Sequence, residues 1–457
     1  MIKNRITKLT IKKLFGYQNV CLDFDSRIKI LIGENGLGKT TVLNMLYYLL
    51  EKKFEKLNEL KFESIEVVFS NKRKISFTHQ SLSYFLDRPK KYQAGQLYQI
   101  ISKQLSLADI EYFKEIFNDP KITFKERDKI IAEKLNSIGV KINAPSQFIY
   151  DNITKLISEF EAISFQQIVE QIDNEIKSKV LYFPTFRRIE SQFASLSTNS
   201  REKLLEEYPF MDDEDIERIY NQDVIQFGMQ DVSVRINTIT SEITQKSLIG
   251  FSNITGDLLG QLSKNFPNSV SRKKKDDEKL KIILSRVGHT ITQDDKDNIV
   301  NYIKSGETTN KGLLYLIDKL IELYDEQESL DKAIKDFRDT CNLYLKRKSF
   351  VYNESKVTLE IYRDNTNEKV ELDYLSSGEK QIVSLFSKIY LEKDESYIVL
   401  FDEPELSLSI FWQQRLLPDI INSKQCSFLL AVTHSPFIYD NELAKYAIGL
   451  DEYFVKA

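Results

Sequence analysis

Gly33, Glu34, Asn35, Gly36, Leu37, Gly38, Lys39, Thr40 and Thr41 fit the pattern G-x-x-x-x-G-K-[ST] at every fixed position. Each residue type there has a chemical task. Glycines let successive backbone N–H groups turn inward on phosphate oxygens, Lys39 can reach the outer phosphates of ATP, and the Thr40 hydroxyl can hold Mg2+. An apolar run, Ile28 to Ile32, leads into the stretch, and an apolar helical pattern begins at Val42. A glycine-rich strand-to-helix turn with an incidental lysine is the plainer alternative.

Three later stretches carry further chemistry. Tyr397 to Phe401 is a wholly apolar run that ends in Asp402 and Glu403. At a strand end beside a phosphate loop, Asp402 can enter the Mg2+ sphere and Glu403 can polarise an attacking water. Phe428 to Val432 is a second apolar run, followed by Thr433 and His434; the histidine could contact a γ-phosphate or simply cap the core. Ser376, Ser377, Gly378 and Glu379 form a turn before a helical pattern, which gives an N-cap and also a second place for an anion.

The elements that must hold these residues are legible from periodicity. Ile6 to Ile11 and Val20 to Phe24 alternate as half-buried strands around Gly16, and Phe62 to Phe69 and Lys74 to Phe77 as a hairpin. Phe15 and Tyr17, beside that glycine, are read as core residues, with an aromatic wall for adenine as the alternative. Residues 81 to 179 are helical in pattern. Lys179 to Phe183 then reads as a buried strand that breaks at Pro184 and runs on to Arg187 and Arg188. Those arginines could face a ligand beyond the strand end or lie solvated in a loop.

Residues 191 to 310 are mostly helical, with an acidic run Asp212 to Asp215 and a basic run Arg272 to Lys275 that Asp276, Asp277 and Glu278 at once offset. No Gly or Pro interrupts 313 to 350, and apolar residues recur there every three or four positions, which predicts one long amphipathic helix on an intramolecular, antiparallel partner. Lys356 to Tyr362 and Val370 to Leu372 follow as strands. The expected organisation is a head lobe over 1–80, helical insert over 81–178, a head strand with the Arg-Arg loop over 179–195, a second helical part over 196–350, and a closing head lobe over 351–457.

The composition of the 457-residue chain is nearly balanced in charge, 64 Lys and Arg against 68 Asp and Glu, which gives no bulk reason for polyanion binding. Three scattered cysteines form no C-x-x-C pair, and no run approaches a membrane span, so a reduced cytoplasmic protein without a membrane partner is expected.

The order of phosphate loop, Leu375-Ser376-Ser377-Gly378-Glu379, apolar run with Asp402-Glu403, and strand with His434 resembles the ABC-type ATPase heads of the SMC and Rad50 class. The resemblance implies an α/β head with a large, mainly helical, partly coiled-coil insert, Mg-dependent ATP hydrolysis, and ATP held between the heads of a homo-oligomer. It makes Ser376 to Glu379 the signature loop, Glu403 the catalytic carboxylate, Pro404 to Ser409 the D-loop and His434 the switch histidine. Ser377 stands where many relatives have Gly, and the glutamine loop has no clear match; the region Arg187 to Gln192 is its candidate. The pieces Leu14 to Tyr17, Tyr182 to Glu190 and Phe401 to Leu408 resemble the stand-alone ATPases of anti-phage systems, those of PARIS (AriA) before those of Septu (PtuA). That likeness implies a Toprim-type or HNH effector nuclease as partner and a phage product as trigger. A Rad50- or RecF-like DNA-repair ATPase acting on DNA ends or gaps is the alternative.

Overall fold

The computed structural model describes residues 5–87, 98, 101–102, 104–119, 121–139, 145–184, 229–263, 277–287, 291–307, 309–392 and 396–455. Arg187, Arg188, Gln192, the acidic run Asp212 to Asp215 and the basic run Arg272 to Lys275 lie outside the described residues.

The chain opens with β1 (Ile6–Leu14), β2 (Gln18–Asp23) and β3 (Ile28–Ile32), then α1 (Lys39–Leu50), α2 (Phe54–Asn58), β4 (Ser64–Phe69), β5 (Lys74–Thr78) and α3 (His79–Leu86). The first helical part follows as α4 (Leu107–Asn118), α5 (Phe124–Ser137) and α6 (Ser146–Glu175), and leads to β6 (Lys179–Phe183). The second has α7 (Met229–Leu262), α8 (Asp277–Val287), α9 (Gln293–Ser305) and α10 (Lys311–Asn342). The chain closes with β7 (Lys348–Asn353), β8 (Thr358–Arg363), β9 (Lys369–Val370), α11 (Ser377–Leu391), β10 (Tyr397–Asp402), α12 (Ile410–Asn422), β11 (Cys426–Val432), β12 (Ala447–Gly449) and β13 (Phe454–Val455).

Strand pairing divides the head into an antiparallel sheet, β13-β2-β1-β4-β5, and a parallel sheet, β12-β3-β11-β10-β6. Alternation along the parallel strands explains why both faces of that sheet are covered. Ile398 and Leu400 of β10, with Leu430 and Val432 of β11, meet α1 and the antiparallel sheet, whereas Val399, Phe401, Leu429 and Ala431 meet α7, α10, α11 and α12. Helix α1 is amphipathic on Val42, Leu43, Met45, Leu46, Leu49 and Leu50, all buried, and so sits as the filling between the two sheets.

The insert has two small cores of its own. One joins Ile101, Phe113, Ile131, Leu135, Ile153 and Leu156; the other joins Ile254, Leu280, Ile283, Leu284, Val300, Ile317 and Leu320. Helices α7 and α10 run antiparallel: Ser247 donates to Gln327 at 3.1 Å, and Gly250, nearer the end of α7, lies beside Leu323, nearer the start of α10. A Cβ on Gly250 would stand 2.3 Å from the Leu323 side chain, so glycine is what permits this close approach. Near the hairpin β7–β8, Arg286 of α8 donates to Asp331 of α10 at 2.6 Å, with the two side chains 4% and 2% exposed. Removing either partner of so buried a pair costs about 3–5 kcal/mol.

The long helix is shorter than its periodicity predicts. It stops at Asn342, whose side chain brackets the backbone of Phe350, accepting from the Phe350 N–H at 2.7 Å and donating to its carbonyl at 3.0 Å. Lys348 to Asn353 leave the helix because they find a ladder partner in Thr358–Arg363.

Candidate active site

Register fixes the site before any side chain is considered. Val432 of β11 is level with Leu31 of β3 and with Asp402 of β10, and Phe401 is level with Phe183 of β6. The carboxyl ends of these strands therefore form one edge, from which Gly33, Glu403, Thr433 and Pro184 all depart, and open parallel sheets bind ligands there.

At that edge the phosphate loop turns through Gly36 and Gly38, both with φ of 86°, into the first turn of α1, which holds no acidic residue. Gly38 is doubly required: its φ is left-handed, and a Cβ would lie 2.8 Å from the ring of Phe15. The free N–H groups of the turn and the positive end of the helix are a ready anion site. Lys39 is buried, and its Nζ donates to the carbonyls of Gly33 and Glu34, each at 3.0 Å. Burial lowers the pKa of the ammonium, against the pull of Glu403, Asp402 and Glu405. Thr41 follows, half-buried, in the same turn.

Thr40 Oγ1 donates to Asp402 Oδ1 at 3.0 Å. A hydroxyl beside a buried carboxylate is a hard-oxygen pair of the kind that holds Mg2+ when nucleotide phosphates and water complete the shell, so the residues present fit that ion. Among the described residues no group of three or more His, Cys, Asp and Glu forms a metal cage by itself.

Glu403 follows Asp402 with φ of 49°, a left-handed conformation held by a hydrogen bond from its N–H to Val432 O at 2.9 Å. This bend turns its carboxylate toward His434, whose Nε2 lies 3.3 Å from Oε1. Burial first, then a hydrogen bond with Glu405 and the charges of Glu405 and Asp402, push the Glu403 carboxyl up to about 8, with Lys39 opposing.

Glu405 is the functional residue that sequence reasoning passed over as part of a D-loop. Its Oε1 accepts from the N–H groups of His434 and Ser435, both at 3.0 Å, and its Oε2 accepts from Thr433 Oγ1 at 2.7 Å. It thereby fixes the turn that presents the histidine. The available signal was the spacing Glu-Pro-Glu, which puts a second carboxylate just beyond the first.

Ser376 caps α11, and Glu379 Oε2 reaches back to the Ser376 N–H and Oγ, each at 2.8 Å, while Lys348 Nζ holds Glu379 at 3.0 Å. Ser376 and Ser377 are exposed, whereas Gly378 is buried: a Cβ there would meet Ser407 O at 2.8 Å and the Trp412 ring at 3.1 Å. This serine-capped turn thus rests on the loop after Glu403, and it is tied to Glu379, which Lys348 holds in turn. Phe15 and Tyr17, read from the sequence as core, are instead 42% and 71% exposed, because the turn of β1 and β2 carries them past the sheet. Phe15 lies over Gly38, where the alternative reading put an aromatic wall.

The family described as AAA ATPase domain matches residues 5–439. The chain belongs to that family. Nucleotide binding, implied in the sequence by Gly33 to Thr41, is the property of an AAA ATPase domain. The DNA replication and repair protein RecF of Bacillus mycoides (strain KBAB4) is 27% identical over 103 residues, 22% of this AAA ATPase chain and 28% of RecF. The matched part thus spans little more than a quarter of that relative's length. Two solved structures match at low similarity. The Smc head domain of Pyrococcus furiosus with an extended coiled coil, bound to the C-terminal domain of ScpA, gives a TM-score of 0.33 at 13% identity over 95% of this chain and 91% of that one. An SmcHead bound to the C-winged helix domain of ScpA gives 0.32 at 11% identity, over 97% and 93%.

Proposed function

We propose that this AAA ATPase chain hydrolyses ATP with Mg2+ in a site completed by a second copy, and that the assembled heads act as sensor and scaffold for a partner effector nuclease in anti-phage defence, the abortive-infection logic of PARIS systems. The observation that carries the hydrolytic part is the convergence of Glu403, His434 and Lys39 at the sheet edge, with His434 Nε2 3.3 Å from the Glu403 carboxylate and 2.9 Å from Lys39 Nζ; the upward shift of the Glu403 carboxyl agrees with it. A base poised near neutrality can take a proton from water and return it. In this reading Lys39 leaves the carbonyls of Gly33 and Glu34 for phosphate oxygens, and the N–H groups of Gly36 to Thr41 hold the phosphates. Mg2+, held by Thr40 and Asp402, would neutralise phosphate charge. Glu403 orients and deprotonates water, His434 donates toward the terminal phosphate, and Glu405 keeps His434 in place.

The second copy is supported by what surrounds the signature turn. Tyr374 is 79% exposed and Phe411 73%, with Ile410 and Leu406 also open, and all lie beside Ser376 or the loop under Gly378. Apolar surface of this extent around a serine-capped helix end fits a partner surface. Mixing Ser376→Arg with Lys39→Ala protein tests the reading, since one site of the mixed dimer holds both defects and the other neither. Restored ATPase activity supports the composite site; association without any restored activity overturns it.

The defence role rests on the resemblance of Leu14 to Tyr17 and Phe401 to Leu408 to anti-phage ATPases, and its partners are a Toprim-type or HNH nuclease and a phage protein. Co-purification of a nuclease from the native operon, with cleavage only when a trigger is added, tests it. The match to RecF favours a second reading, a DNA-repair ATPase acting at ends or gaps. Hydrolysis stimulated by DNA in the absence of any partner distinguishes that reading. No described helix is long and apolar enough to cross a membrane, and the reading involves none.

A further inference from the structure

At the root of the insert, far in sequence from the phosphate loop, α7, α8, α9 and the turn between β7 and β8 enclose a cleft of about 680 Å3. That is the size of a small-molecule site. Its lining among the described residues is one-sided in charge: Arg286, Lys296 and Lys356 contribute cations, Thr244, Ser247, Ser285 and Ser355 contribute hydroxyls, and no carboxylate among those residues lines it. Leu248 and Phe251 supply an apolar wall on α7.

We propose that this cleft binds a small phosphate-bearing molecule that also carries an apolar or aromatic group. Arg286 is held rigid, because its Nε donates to Glu354 O at 2.8 Å and its Nη atoms to Gln327 at 3.2 Å and Asp331 at 2.6 Å. Asp331 compensates its charge, whereas Lys296 and Lys356 have no carboxylate within salt-bridge distance among the described residues: Lys296 Nζ lies 3.5 Å from Ser285 Oγ, and Lys356 meets Glu360 only through longer-range attraction. The acids of the same hairpin are already engaged: Glu354 with Lys335 at 2.8 Å and Glu360 with Lys369 at 2.9 Å. Thr244, Ser247 and Ser285 give their hydroxyl protons to carbonyls one helical turn back, at 2.9, 2.9 and 2.8 Å, so the donors that meet a phosphate are the two ammonium groups, with Ser355 beside them.

Two further observations mark the place as built. A recess behind the cleft shares Ser247, Phe251 and Arg286 with it and is lined by Gln327, which is 1% exposed and whose Nε2 has no partner among the described residues. A buried amide donor without an acceptor is costly, and the recess, about 10 Å3, has room for one water to supply that acceptor at the back of the cleft. Val357, on the cleft wall, has φ of 53°, a conformation that a β-branched residue rarely adopts. Strain of this kind persists where surrounding structure enforces it, as binding sites do. The same hairpin carries Lys348, the partner of Glu379, so an occupant would also bear on the signature turn; that consequence, unlike binding itself, rests on the composite site proposed above.

The test is calorimetric titration of the full chain carrying Lys39→Ala, which silences the phosphate loop, with phenyl phosphate, AMP, adenosine and a short single-stranded oligonucleotide as probes. One phosphate probe or both bind once per chain and adenosine does not. Lys296→Ala with Lys356→Ala weakens that binding at least about tenfold at unchanged melting temperature. Lys356→Glu, on an exposed turn position and therefore without risk to the fold, does the same. Failure of both phosphate probes to bind, or binding that either variant leaves unchanged, overturns the proposal. Binding of the oligonucleotide alone overturns it as well, in favour of a nucleic-acid backbone.

Discussion

Lys39 Nζ lies 2.9 Å from Nε2 of His434. An ammonium has only donors, so Nε2 must accept, which puts the imidazole proton on Nδ1. The Glu403 oxygen 3.3 Å from the same nitrogen would ask the opposite of it if ionised. A protonated Glu403 removes that conflict, in keeping with the raised pKa of its carboxyl. Lys39 thus holds the histidine and glutamate in one arrangement, which the proposed turn of Lys39 to phosphate would end.

A pH dependence follows from Glu403. Its carboxyl stands at about 8 in the folded chain against an ordinary 4.5, so between those values the folded state holds a proton that the unfolded state has lost. This group therefore lowers stability progressively as pH rises from 4.5 toward 8, with no further loss above. Glu403→Gln should flatten that part of the melting temperature against pH curve. The same variant should bind ATP and turn over about 10²- to 10⁴-fold more slowly. An unchanged rate would make Glu403 a mere strand-end carboxylate.

Glu405→Ala strips three acceptor contacts from Thr433, His434 and Ser435 and removes the hydrogen bond and charge that help raise Glu403. Turnover should fall about tenfold or more, from misplacement of His434. The acidic limb of kcat/KM should also move to lower pH. A residue that only stabilised the loop would lower the melting temperature and leave the pH profile where it was.

Lys39→Ala should abolish ATP binding in equilibrium dialysis. Lys39→Arg should not rescue it, because a planar fork cannot replace a compact ammonium in a buried niche bounded by the Gly33 and Glu34 carbonyls. Micromolar ATP affinity in either variant would remove Lys39 from the phosphate site.

Phe15→Ala should lower ATP affinity about tenfold and leave tripolyphosphate affinity unchanged, as expected of a ring that meets the base and not the phosphates. Equal losses for both ligands would instead mean that Phe15 serves to pack the loop at Gly38.

What the sequence made legible was local. The phosphate loop, Asp402, Glu403 and the serine cap are contiguous patterns whose geometry follows from a few neighbouring residues, and the apolar strands announce themselves by composition. Residues 343–350 depart from the helix that their pattern predicts because periodicity reports which residues are buried and not what encloses them: Tyr344 is wholly buried although the helix has ended. Phe15 and Tyr17 depart from expectation for the converse reason, since hydrophobicity suggests a core that the turn does not reach. Glu405 could be recognised only once β10 and β11 lay side by side, because its partners at Thr433, His434 and Ser435 come from the next strand.

The bond from Thr40 to Asp402 spans 362 residues. At about 5–20 residues per second of synthesis, the phosphate loop leaves the ribosome roughly 20–70 s before the carboxylate it needs. The β3 strand waits with it, because both its neighbours, β11 and β12, come from the last tenth of the chain. A nascent or truncated chain ending before Tyr397 therefore carries the phosphate loop without Asp402, Glu403 or the β11 strand beside β3, and the candidate site is assembled only after both later strands have been made.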